Sequence, residues 1–132
     1  MAIRVVIVDD DEMVRRGLAL FLELNDDFEM VGAAGDGEVG LELCMELVPD
    51  VVLTEIELPL VDGIMLTRVL TKIFPRMKIV VLDMFRQPKA VEALLRAGVS
   101  QYLIKEIGFD ELAQAIREVV KDNGCSSEVA RV

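Results

Sequence analysis

The chain has 132 residues, enough for one domain with a buried core, and 53% of them are hydrophobic. A formal net charge of −10 argues against a chain that itself grips a nucleic-acid backbone or an anionic membrane. The absence of histidine excludes His-based triads, His metal ligands and a role as phosphohistidine donor.

The first element is the run Ile3–Val8, IRVVIV, a short apolar stretch that ends at Asp9-Asp10-Asp11. It reads as a strand buried on both faces. From Asp11 to Leu24 the pattern is helical, with Val14, Leu18, Phe21 and Leu22 at three- and four-residue steps. Asp11 and Glu12 fall in its first turn, where the helix dipole favours acids. Asn25-Asp26-Asp27 is a turn, Phe28 to Ala34 a second strand, and Gly35-Asp36-Gly37 a loop into a helix over 37–47 that Pro49 ends. The third strand spans 51–54. A helix follows from Ile64 to Phe74, stopping before Pro75, then a strand from Lys78 to Leu82. Pro88 to Ala97 reads as a helix with Gly98 as its C-cap residue. Ser100 to Ile104 is the last strand, and Phe109 to Lys121 the last helix, with Leu112, Ile116, Val119 and Val120 on one face.

Five almost wholly apolar strands alternating with five helices predict a parallel α/β sheet covered on both faces. No apolar run reaches about 18 residues and no signal peptide is visible, so the expectation is a soluble domain. Cys44 and Cys125 form no disulfide framework, which fits a reducing cytoplasm; Cys44 reads as a small buried hydrophobe. The seven methionines read mostly as core fillers or strand-end residues.

A parallel sheet brings the carboxyl ends of its strands to one edge, where such sheets bind ligands. Asp9 and Asp10 follow the first strand, Glu55 the third, Asp83 the fourth and Lys105 the fifth. Clustered carboxylates suit a hard divalent cation such as magnesium, and a lysine beside them can neutralise an oxyanion. Taken singly, each acid could equally cap a helix or solvate a loop. Together, in strand-end positions, they favour a shared site.

Three stretches carry a resemblance over nearly the whole chain: VDDDEMVRRGL at 8–18, PDVVLTEIELPLVDG at 49–63 and AGVSQYLIKE at 97–106. They resemble the acidic-pair segment, the phosphoacceptor loop and the lysine-bearing segment of CheY-like receiver domains of response regulators. The resemblance implies a doubly wound, flavodoxin-like sheet in the order 2-1-3-4-5. It also implies a metal site from Asp9, Asp10 and Glu55 with the backbone carbonyl of Glu57, holding Mg2+ weakly. Lys105 matches the phosphate-pairing lysine, and Tyr102 the switch aromatic that reorients on activation.

Two positions depart from the family pattern. Aspartate, the phosphoacceptor, stands in the family where Glu55 stands here, and Ser or Thr where Asp83 stands. Asp83 would repel a phosphoryl group and could pair with Lys105. The expectation is therefore a pseudo-receiver: not an enzyme, signalling by protein–protein contact in two-component, phosphorelay-type signal transduction. The alternative is a conventional receiver with autocatalytic phosphotransfer from a histidine kinase. Residues 1–122 read as the receiver and 123–132 as the start of a linker towards a LuxR-type helix-turn-helix domain. Implied partners are signalling proteins, a histidine kinase among them, and a second copy of the chain, with DNA reached only through that further domain.

Overall fold

Strand and helix alternate five times through residues 2–122, the part of the chain described by the computed structural model. The strands are β1 (Ile3–Val8), β2 (Phe28–Ala34), β3 (Val51–Thr54), β4 (Lys78–Asp83) and β5 (Gln101–Ile104). The helices are α1 (Glu12–Glu23), α2 (Gly37–Leu47), α3 (Gly63–Ile73), α4 (Pro88–Ala97) and α5 (Phe109–Lys121). All strand pairs are parallel, in the order β2-β1-β3-β4-β5, the flavodoxin-like order expected from the sequence.

Local chemistry sets the helix starts. Asp11, Asp36 and Asp62 are N-caps whose side chains accept backbone N–H groups of the first turn, at 2.9 Å from Met13, 2.8 Å from Val39 and 2.8 Å from Met65. Asp11 thus stands just outside α1 rather than in its first turn, and α3 begins one residue earlier than expected. Gly98 ends α4 at φ 94°, a left-handed conformation that suits glycine.

The pleat sorts the core into two layers. On one face Val6, Val52, Ile79, Val81 and Tyr102 pack with Leu66 and Leu70 of α3 and Leu94 of α4. On the other, Val5, Ile7, Leu53, Val80 and Leu82 pack with Leu18 and Leu22 of α1 and Leu112 and Ile116 of α5. Each fully buried leucine or isoleucine contributes roughly 1.5–3 kcal/mol.

Arg117 ties α5 to the turn before β2. It donates to both oxygens of Asp27, at 2.6 and 3.0 Å, and lies 5.1 Å from the Phe28 ring centre.

Cys44 is fully buried, as expected, and burial pushes its thiol up to about 12. Cys125 and the expected linker lie outside the described residues. The methionines differ from expectation. Met13, Met45, Met65 and Met84 are exposed, of which only Met84, directly after β4, is a strand-end residue as expected, while Met77 is buried. The first three sit in helices, where an unbranched side chain fits a solvent-facing position at little entropic cost. Among the described residues, no helix is long and apolar enough to cross a membrane.

Candidate functional site

Three strand ends deliver the centre of the site. Lys105 Nζ lies 2.9 Å from Glu55 Oε2 and 3.1 Å from Asp9 Oδ2. The other oxygens are also engaged: the Asp11 N–H donates to Asp9 Oδ1 at 2.9 Å and the Asp10 N–H to Glu55 Oε1 at 3.1 Å. The Arg15 guanidinium fixes the turn by donating to the Asp9 carbonyl at 2.7 Å. Asp9 and Glu55 are 3% and 9% exposed, so their charges are poorly screened by water.

The loop after β3 is held as tightly as the side chain it carries. Gly63 N–H donates to the Ile56 carbonyl at 2.7 Å, and a Cβ at Gly63 would collide with the Glu55 carbonyl oxygen. Glycine here lets α3 start against the backbone of Glu55 itself.

Burial is the main force on Glu55. It raises the carboxyl to about 7, helped by the side chain of Asp10 and the charge of Asp9 and opposed by Lys105 and the Asp10 N–H. For Lys105, burial works to lower the ammonium, but Glu55 and Asp9 outweigh it and hold it above its ordinary value.

Asp9, Asp10 and Glu55 each bring a carboxylate oxygen within 4.8 Å of the other two. Three carboxylates facing one ammonium leave a formal local charge of about −2, and that excess adds to burial in raising the proton affinity of Glu55. The donor set fits a hard divalent cation, which Asp9, Asp10 and Glu55 would hold. Glu57 lines the adjoining recess with Asp10 and Asp62.

Asp83 stands apart from this centre. Its Oδ2 accepts the Tyr102 hydroxyl at 2.7 Å and the Gln87 amide at 3.0 Å, and its Oδ1 accepts the Met84 N–H at 3.0 Å. The expected Asp83–Lys105 pair does not form. The only bond between these residues runs along the backbone, from the Lys105 N–H to the Asp83 carbonyl at 2.6 Å. The reason is the pleat. Asp83 follows Ile79 and Val81 onto the face that holds Tyr102, whereas Lys105 follows Leu103 onto the other. Asp9 and Glu55, by the same alternation, continue Val5–Ile7 and Val51–Leu53 on the Lys105 face. Tyr102 is fully buried, and burial together with Asp83 pushes its hydroxyl up to about 12. Gln87 is the residue the sequence reading missed, since an amide in a loop carries no signal until its partner is known.

Residues 5–117 match the family model described as response regulator receiver domain. The chain is 42% identical over 119 residues to the transcriptional regulatory protein LiaR of Bacillus subtilis, spanning 90% of this chain and 56% of that protein. To the response regulator protein VraR of Staphylococcus epidermidis it is 36% identical over 118 residues, spanning 89% and 56%. The chain thus spans about half the length of the curated relatives it matches. Among solved structures, the signal receiver domain of the response regulator NarL from Mycobacterium tuberculosis superposes with a TM-score of 0.88 at 27% identity, over 92% of this chain and 98% of that one. A LuxR-family DNA-binding response regulator from Staphylococcus aureus superposes at 0.86 with 26% identity, over 89% and 98%.

Proposed function

The chain belongs to the response regulator receiver domain family, and on that premise we propose that it is an atypical receiver, one that signals through protein contact without an aspartyl phosphate. The observation that carries this reading is the 2.9 Å contact between Lys105 and Glu55. Lys105 is the cation a bound phosphoryl group would need, and Glu55, in the phosphoacceptor position, already holds it. The extra methylene of glutamate also moves the acceptor oxygen. A misplacement of about 1 Å in a reacting group can cost roughly 100-fold in rate. Asp83 adds to the case. It holds the position of the family's hydroxyl but turns to Tyr102, Gln87 and the Met84 N–H, so it offers a phosphoryl group no donor.

On this reading Glu55, Asp83 and Lys105 are the equivalents of the phosphate site, Tyr102 is the switch aromatic, and the domain turns over no substrate. Asp9, Asp10 and Glu55, with the Glu57 carbonyl, remain a weak Mg2+ site. The relatives' names support a place in transcription regulation of the LuxR type; on this reading the protein works in the cytoplasm with a histidine kinase or other signalling protein as partner. Relatives that extend well beyond the matched segment support residues 1–122 as the receiver and 123–132 as the start of a linker to a DNA-binding domain.

A second reading has its own observation. The convergence of Asp9, Asp10 and Glu55 within 4.8 Å is compatible with a conventional receiver that still accepts phosphate from a histidine kinase. Treatment with acetyl phosphate and magnesium, followed by intact mass, separates the two. The expected result is no phosphate adduct on the wild type and one adduct on the double variant Glu55→Asp, Asp83→Thr. A base-labile adduct on the wild type overturns the first reading in favour of the second.

A further inference from the structure

Asp83 is 5% exposed, yet among the described residues no lysine or arginine forms a salt bridge with it. A buried carboxylate without a cation depends on hydrogen-bond donors for its stability. Asp83 has three, all neutral: the Tyr102 hydroxyl, the Gln87 amide and the Met84 N–H. Each donor is fixed in return by the charge it serves, because hydrogen bonds to an ionised acceptor are the strong ones.

The donors come from three places: β5, the residue directly after Asp83, and the start of α4. Tyr102 lies in the middle of β5 and is fully buried. Met84 opens the loop after β4, and its side chain is exposed. Gln87 occupies the N-cap position of α4, but its side chain makes no capping bond to the helix and reaches back to Asp83 instead. The Tyr102 hydroxyl also lies 3.4 Å from the Phe85 carbonyl of the same loop. One carboxylate therefore gathers strand β5, the β4–α4 loop and the start of α4. It does so on the face of the sheet opposite Lys105, Asp9 and Glu55.

We propose that Asp83 is a built-in latch, which keeps Tyr102 buried and binds the β4–α4 loop to β5, so that the α4–β5 face holds one setting regardless of what occupies the Glu55 centre. The latch itself rests on hydrogen bonds alone. Only its signalling consequence rests on Tyr102 being the switch aromatic of the reading above. A phosphoryl group would have nothing to move here, because the position of Tyr102 is already set by its hydrogen bond to Asp83.

The chain offers a clean reporter, since Tyr102 is its one tyrosine and there is no tryptophan. Intrinsic tyrosine fluorescence therefore reports on a single side chain, and acrylamide, an uncharged quencher, measures its accessibility without interference from the acidic surface. In the wild type, quenching should be weak and unchanged by magnesium and acetyl phosphate. Asp83→Ala should raise the quenching constant several-fold towards that of the unfolded chain, with far-ultraviolet circular dichroism still native. If that variant does not fold, Asp83→Leu, close to aspartate in shape but without an acceptor, replaces it with the same expectation. Glu55→Gln should leave quenching at the wild-type level. A folded Asp83 variant whose Tyr102 stays as protected as in the wild type overturns the proposal, since packing alone would then hold the ring. So does a Glu55→Gln protein in which Tyr102 is freed as fully as in Asp83→Ala. The mass experiment reads phosphate on Glu55 and the quenching experiment reads Tyr102, so the two readings stand or fall separately.

Discussion

Replacing Glu55 with glutamine should make the domain more stable above neutral pH and leave it unchanged in mild acid. Glutamine has the shape of the protonated acid. Folded Glu55 keeps its proton up to about pH 7, while the unfolded chain releases it near its ordinary 4.5. Between those values the folded state binds more protons than the unfolded one, so stability falls as pH rises. The stability attributable to the proton is fully present below 4.5 and lost by about pH 7. A gap of about 2.5 pH units, at roughly 1.4 kcal/mol for each, amounts to ~3 kcal/mol. The attraction of Lys105 is already included, since it is one of the forces opposing the rise. Carboxylates remote from Glu55, Asp27 among them, behave alike in both proteins and cancel in the difference. Urea denaturation of the wild type and Glu55→Gln should therefore give equal stabilities near pH 4.5, diverging to ~3 kcal/mol in favour of glutamine by about pH 8. Parallel profiles across that range, with no widening gap, would refute the claim that burial and neighbouring acids dominate at Glu55.

Lys105→Ala removes the cation shared by two carboxylates that are 3% and 9% exposed, and should cost about 2 kcal/mol near pH 8 by denaturation. The loss should shrink near pH 6, where Glu55 can take up a proton instead. Millimolar magnesium at matched ionic strength should raise the melting temperature, since a ligand at ten times its Kd stabilises the folded state by ~1.4 kcal/mol. Asp10→Asn, the exposed member of the carboxylate trio, should abolish that rise; a melting temperature indifferent to magnesium in the wild type would mean that Glu55 and Lys105 fill the cation's place.

The strands were legible because their apolar runs are short and end in charge: Val8 before Asp9, Thr54 before Glu55, Ile104 before Lys105. The same feature exposed the edge of the sheet as the place to look. The partner of Asp83 was misread because chain order puts the fourth and fifth strands side by side, and neighbouring strand ends suggest neighbouring side chains. Register and alternation decide otherwise. Asp83 stands opposite Ile104, one residue short of Lys105, so the lysine points to the other face. With the strand order in hand, counting odd and even positions from the core would have grouped Asp9, Glu55 and Lys105 and set Asp83 beside Tyr102. Glu55's raised proton affinity was not legible at all, because it depends on the burial of the carboxyl and on the acids that folding packs around it.

The backbone hydrogen bond from the Lys105 N–H to the Asp83 carbonyl has a mechanical meaning. It is a seam between two compartments that share an edge but not a face. Among the described residues no side-chain hydrogen bond or ion pair joins Asp83 or Tyr102 to Lys105, Asp9 or Glu55, so a push on the lysine side reaches the tyrosine side as shear between β4 and β5. Parallel strands resist shear stepwise. A slip of one residue would turn every side chain of β5 onto the wrong face and cost the core its packing. The two compartments are thus insulated by the pleat itself, and traffic between them requires a strain that the sheet is built to refuse.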